Sequence, residues 1–77
     1  MQTIDFPLEP GREFVELNQL LKLAGLCDSG GAGKALVASG AVRVDGVTEL
    51  RKTCKIRPAQ RVGVQGTEIR VLPAGGA

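Results

Sequence analysis

From residue 13 onward the apolar positions Phe14, Leu17, Leu20, Leu21 and Ala24 recur at i, i+3, i+4 and i+7, while Glu16, Asn18, Gln19 and Lys22 fill the other side. That spacing predicts an amphipathic helix over residues 13–24. Glu13 and Glu16 stand near its positive end, and Gly25 followed by Leu26 reads as a left-handed cap with its hydrophobic contact. Ahead of it, residues 3–6 suit a short strand, and Pro7, Pro10 and Gly11 prevent an earlier helical start. After a brief connection at Cys27 and Asp28, Ser29 is placed to cap a second helix that continues to Ser39 and is stopped by Gly40. Leu36 and Val37 are its expected core anchors. Gly30, Gly31 and Gly33 each cost about 1 kcal/mol of helix propensity relative to alanine. That first turn must therefore be held by packing or by something it approaches closely.

Beyond Gly40 the period shifts from helical to alternating. Val42 and Val44 point one way and Arg43 the other, before Asp45-Gly46, a two-residue hairpin signal, with residues 47–50 as the return strand. A basic stretch over residues 51–57 leads to a Pro58-Ala59 turn, then to Val62 and Val64, with Gly66-Thr67 turning the chain into Ile69 and Val71. The predicted fold is α+β: two N-terminal helices packed on a small, bent antiparallel sheet. Residues 1–72 form a single domain, and residues 73–77 read as a flexible tail.

With 77 residues and 43% apolar side chains there is one small core and no room for a catalytic domain beside a binding domain. The chain has no His, Trp or Tyr, and its aromatics are Phe6 and Phe14 alone, which removes the commonest general base and most stacking side chains. Cys27 and Cys54 permit one disulfide at most and fall short of a structural zinc site. No apolar run has the length of a spanning helix, and Asp5 and Glu9 interrupt anything like a secretory h-region. The expectation is a cytoplasmic chain with reduced thiols, no metal and no cofactor.

Charge refines this picture. The formal charge of +2 hides a polarised chain: residues 1–33 carry −3 and residues 34–77 carry +5. Such asymmetry is what a polyanion-binding surface needs, although an excess of Lys and Arg also describes an ordinary solvated face.

Two motifs fail on inspection. Ser29-Gly30-Gly31-Ala32-Gly33-Lys34 invites a phosphate-loop reading, but a Walker motif needs glycine where this chain has Asp28 and Ser or Thr where it has Ala35. What survives is a helix N-terminus with free amides at residues 30 and 31 and Lys34 one turn later, able to meet a phosphate of a polymer backbone. Gly33, deeper in the helix, is read as a close helix–helix approach. A helix-turn-helix reading needs Arg, Asn or Gln on the second helix, which carries none of them and has Lys34 as its one charged residue.

The order of elements, together with Leu17-x-x-Leu20-Leu21, Ser29-x-x-x-x-Lys34 and Gly40-Ala41-Val42-Arg43-Val44-Asp45-Gly46, resembles the ribosomal protein S-four-like RNA-binding domain, the αL motif. The resemblance covers roughly residues 13–65. Arg51-Lys52-x-Cys54-Lys55-Ile56 is similar to the stand-alone, single-domain bacterial members of the YbcJ type. Carried over by position, the resemblance implies RNA contacts at Ser29, Lys34 and Arg43, with Arg51, Lys52 and Lys55 as a basic patch. Gly30 and Glu16 occupy positions where the family commonly has Arg, which moves the implied footprint toward the sheet side and residues 51–57. Cys54 is read as packing.

The resulting expectation is a non-enzymatic, monomeric RNA-binding module. Lys34 and the amides of residues 30 and 31 hold one phosphate run, and Arg43, Arg51, Lys52, Lys55 and Arg57 hold the next. Backbone and shape recognition of structured RNA, ribosomal or transfer, at the ribosome or elsewhere, needs no aromatic platform, whereas single-strand binding does. The alternative is a small protein-interaction module docking on an acidic or ribosome-associated partner. No membrane and no small-molecule substrate is expected.

Overall fold

A computed structural model describes residues 2–74. The tail placed at residues 73–77 therefore lies, for its last three positions, outside the described residues.

Alternation of apolar and polar side chains builds the main sheet. Strands β1 (Gln2–Pro7), β3 (Val42–Val44), β4 (Val47–Thr48), β6 (Arg61–Val64) and β7 (Thr67–Leu72) form it in the spatial order β1-β7-β6-β3-β4. Val42, Val44, Val62, Val64, Thr67, Ile69 and Val71 face inward, and Arg43, Arg61 and Arg70 face out. Two tight turns close its hairpins. Asp45 (φ 51°) and Gly46 (φ 83°) join β3 to β4, and Gln65 (φ 50°) and Gly66 (φ 77°) join β6 to β7. Positive φ at both central residues suits the right-handed strand twist. The second turn is one residue earlier than the sequence pattern indicates: Gln65 takes the first left-handed position, which frees Thr67 to pair with Val64 as the start of β7.

The sheet is mixed, which corrects the expectation of a purely antiparallel one. β1 runs parallel to β7, with Ile4 opposite Ile69 and Phe6 opposite Val71. A parallel pair needs a crossover, and here everything between the two strands supplies it. β4 is shorter than the expected 47–50. Glu49 still donates its N–H to the Val42 carbonyl at 3.0 Å, but its side chain then turns the chain away from the sheet.

The first helix also departs from the periodicity. α1 spans Leu17–Leu23, four residues shorter at its start than predicted, because Val15–Glu16 is instead a strand, β2, paired antiparallel with β5 (Lys55–Ile56). Glu16 occupies the N-cap without a side-chain cap. The first amides of α1 are satisfied from elsewhere: Leu17 N–H donates to the Cys54 carbonyl at 2.8 Å and Asn18 N–H to the Lys52 carbonyl at 3.1 Å. Its other end follows the expectation. Gly25 at φ 83° ends the helix, with Leu26 N–H donating to the Leu21 carbonyl and Gly25 N–H to that of Lys22, both at 3.0 Å. This pair of bonds is a Schellman motif.

α2 (Gly30–Ala38) starts at Ser29, whose Oγ accepts from Ala32 N–H at 3.1 Å. It stops at Gly40, φ 82°. Gly33 lets it lie against α1: a Cβ there would stand 2.5 Å from the Asn18 carbonyl oxygen. Leu17, Leu20 and Leu21 of α1, Val37 of α2, Ile56 of β5 and the inward valines and isoleucine of the main sheet then form one apolar cluster.

Candidate functional site

The start of α2 presents two kinds of backbone amide. Ser29 Oγ caps Ala32, and the Ser29 carbonyl accepts from Gly33 N–H at 3.0 Å. Among the described residues the Gly30 and Gly31 amides have no such partner, and Lys34 extends into solvent one turn later. Ser29 spends its oxygen on the cap and keeps its O–H as a donor. Asn18, buried beneath this turn, donates from Nδ2 to the Gly30 carbonyl at 3.4 Å, and its Oδ1 has no partner.

Asn18 is also where the second part of the site begins. Its N–H bonds to Lys52, that of Leu17 bonds to Cys54, and β2 and β5 continue the run with Glu16 opposite Lys55 and Val15 opposite Ile56. Residues 14–18 and 54–57 thus form one antiparallel ribbon, entered through the turn at Lys52 and Thr53, whose Lys52 carbonyl caps Asn18. Ile56 is fully buried, which seats the ribbon on the core, and Lys55 and Arg57 on either side of it are exposed. The ribbon continues to Phe14, where Lys55 Nζ lies 5.0 Å and Arg57 Cζ 5.7 Å from the ring centroid. Lys52 stands in the turn that leads into the ribbon, and Lys55 and Arg57 lie along it.

Electrostatics sorts the cations. Arg51 is held by Glu49 through Nε to Oε2 and Nη2 to Oε1, both at 3.0 Å, and its own N–H donates to Oε2 at 2.9 Å. These bonds, the side-chain ones first, hold the Glu49 carboxyl down at about 2 and raise Arg51 further. Arg61 pairs with Glu68 at 3.6 Å and Arg70 with Asp5 at 2.8 Å, both on the outer face of the main sheet. Among the described residues Lys34, Arg43, Lys52, Lys55 and Arg57 make no ion pair.

The residues singled out from the sequence therefore fall into three places. Ser29 and Lys34 belong to the α2 start, and Lys52, Lys55 and Arg57 to the ribbon, joined to that start through Asn18. Arg51 lies in the loop beside Lys52 but carries its own counter-ion. Arg43, on β3 opposite Gly63 and Thr48, lies on the outer sheet face and not on the ribbon. Nothing in the sequence pattern marks Phe14 or Asn18 as part of a site. Phe14 fits the helical period and so reads as core, and a lone Asn within a helix carries no sequence signal of its burial.

Cys54 packs against the core, as its position suggested, and burial followed by the Glu49 charge pushes its thiol up, the opposite of a reactive thiolate. Cys27 and Cys54 are free. No group of three or more His, Cys, Asp or Glu able to hold a metal occurs among the described residues. No helix among them is long and apolar enough to cross a membrane.

Two helices joined by a short capped turn, followed by the Val-Arg-Val-Asp-Gly hairpin, are the frame of a known class: the chain belongs to the S4 domain family, whose sequence model matches residues 8–72. A curated relative of Escherichia coli (strain K12), "Putative RNA-binding protein YbcJ", is 47% identical over 58 residues, which is 75% of this chain and 83% of the relative. The YbcJ protein of Shigella flexneri matches with the same figures. The solution structure of E. coli YbcJ superposes with a TM-score of 0.70 at 40% identity, covering 94% of this chain and 90% of that one, and is described as revealing an αL motif involved in RNA binding.

Proposed function

We propose that this domain is a non-enzymatic RNA-binding module that grips the backbone of folded RNA, ribosomal or transfer, in the cytoplasm. The observation that carries the reading is the continuity of unpaired cations with free amides. Lys52, Lys55 and Arg57 follow one ribbon, and Asn18 ties the head of that ribbon to the exposed start of α2. Membership of the S4 domain family and the printed description of YbcJ support it. Lys34 and the Gly30 and Gly31 amides take one phosphate run and Lys52, Lys55 and Arg57 the next, while Arg51, its fork filled by Glu49, stands beside them without a full contact of its own. Arg43 serves only RNA that extends around to the sheet face.

Phosphate contacts position the protein and carry little sequence information, and a double-stranded RNA is recognised through shape, 2′-hydroxyls and phosphates. The test is a filter-binding titration against ribosomal RNA and bulk transfer RNA at several salt concentrations. With about five phosphate contacts, log affinity falls against log salt with a slope of roughly −3.5 to −4.5. Absence of binding at low salt, or affinity indifferent to salt, overturns the proposal. Protein partners that survive RNase treatment, with no RNA crosslinked to the ribbon, would favour a protein-docking role instead.

A further inference from the structure

We propose that Phe14 is a positioning residue that gathers Lys55 and Arg57 into a single clamp for an RNA backbone phosphate, at the far end of the ribbon from α2. The inference rests on the backbone-binding reading above. Its starting point is local geometry. Strand alternation puts Lys55 and Arg57 on one face, because Ile56 between them is fully buried and paired with Val15. The same register sets Phe14 beside them, half-buried, with both cationic heads inside the ~6 Å range in which a ring face attracts a cation.

Two long basic side chains so close repel one another and would ordinarily spread into solvent, and ordering either one costs rotamer entropy. A carboxylate would gather them, but at the expense of the charge that a phosphate needs. Arg51 shows this outcome, with its fork filled by Glu49. An aromatic ring is different. Its quadrupole attracts the cations without neutralising them, so both positive charges stay available and are already held at the same ring when an anion arrives. Glu16, opposite Lys55 in the register, makes no ion pair with it within 4 Å, so the ring and not the carboxylate holds the ammonium. The scarcity of aromatics in this chain takes on a second meaning. Phe14 contributes by holding cations, with no base stacked upon it.

The experiment measures bulk transfer RNA binding over a salt series for the wild type, Phe14→Leu, Phe14→Tyr, the pair Lys55→Gln with Arg57→Gln, and that pair combined with Phe14→Leu. Phe14→Leu keeps an apolar side chain at this half-buried position and is expected to weaken binding roughly twofold to fivefold, with a shallower salt slope, while Phe14→Tyr keeps wild-type affinity. Once Lys55 and Arg57 are Gln, Phe14→Leu should cost nothing further, since its effect passes through them. Equal weakening in both backgrounds, or no weakening in either, overturns the clamp. A second measurement needs no variant: the Lys55 Hε and Arg57 Hδ protons of the wild type should resonate upfield through the ring current and move when transfer RNA is added. Their presence at ordinary shifts overturns the proposal. A wild type that retains neither transfer nor ribosomal RNA at low salt overturns the backbone reading itself. A wild type that binds, and that Phe14→Leu matches, overturns the clamp alone.

Discussion

The outer face of the main sheet and the β2/β5 ribbon both present basic side chains, and the fold gives Arg61 and Arg70 on the sheet a different fate from the cations of the ribbon. On the sheet, Arg61 and Arg70 are direct cross-strand partners, a like-charge pairing that costs stability on its own. Glu68 takes Arg61 and Asp5 takes Arg70, the latter through the parallel register of β1 and β7. On the ribbon, Lys52, Lys55 and Arg57 are left without carboxylates among the described residues, and two of the three rest on an aromatic ring. A formal excess of +5 over residues 34–77 is thus a poor measure of a binding surface. What counts is which cations keep their charge after their neighbours have been satisfied.

The most severe test of this contrast is to neutralise the ribbon cations and the paired sheet arginines in turn. Changing Lys52, Lys55 and Arg57 together to Gln removes about three phosphate contacts, which at 0.1 M salt weakens RNA binding roughly hundredfold or more and flattens the salt slope by about 2 to 2.7. Changing Arg61 and Arg70 together to Gln should leave affinity within about twofold, since exposed paired charges contribute little to the outside. Filter binding of the two variants side by side reads the difference. Comparable losses would mean that RNA lies across the sheet, with Arg43 at its centre.

The next largest effect concerns how the ribbon is kept in register with α2, for which Asn18 and Gly33 share one contact. Gly33→Ala gains about 1 kcal/mol of helix propensity but drives a Cβ to 2.5 Å from a backbone oxygen that cannot swing aside. Overpacking of this kind costs about 1–3 kcal/mol. The steric cost outweighs the gain, and for a domain of this size each net kcal/mol lowers Tm by roughly 4–8 °C. Gly31→Ala is the control. Its Cβ meets only Ser29 Oγ, at 3.8 Å, so propensity alone acts and Tm rises. A thermal melt in which both variants rise would show that α1 and α2 are not closely apposed.

The two regions also differ in how much of them can be read from the chain. The hairpins and helix ends are written locally: Asp45-Gly46 requires a tight turn, Ser29 caps three residues ahead, and Gly25 and Gly40 end helices where a left-handed residue is needed. Each signal is complete within about five residues. β2 is not. Val15–Glu16 is extended only because Lys55–Ile56 arrives beside it from some forty residues away, and without that partner the apolar spacing from Phe14 to Ala24 describes a longer helix. β1 is a similar case, its parallel partner lying at the other end of the domain. For the site, the cations themselves were legible, as was the cap at Ser29. Their sorting was not, because Arg70 meets Asp5 and Arg61 meets Glu68 only through sheet register, and Phe14 meets Lys55 and Arg57 only through the ribbon.

Glu49 allows the contrast to be moved across a single residue, because Arg51 is a ribbon-side cation treated in the manner of the sheet. Glu49→Gln removes its counter-ion. The carboxyl, held at about 2 instead of its ordinary 4.5, favours the folded state above the ordinary value and loses that contribution as pH falls toward 2. Since Arg51 is largely in solvent and the pair is screened, the stabilisation is small. In urea unfolding the gap between wild type and Glu49→Gln should therefore be modest at neutral pH and close between about pH 4.5 and 2; a gap constant over that interval would rule the pair out as its source. RNA binding should move the other way. A released Arg51 adds at most one phosphate contact, steepening the salt slope by about 0.7–0.9 and tightening binding by no more than about fivefold to eightfold at 0.1 M salt. If affinity falls instead, the Glu49 carboxylate is acting as Phe14 does for its neighbours, aiming a cation whose remaining N–H groups already face the RNA.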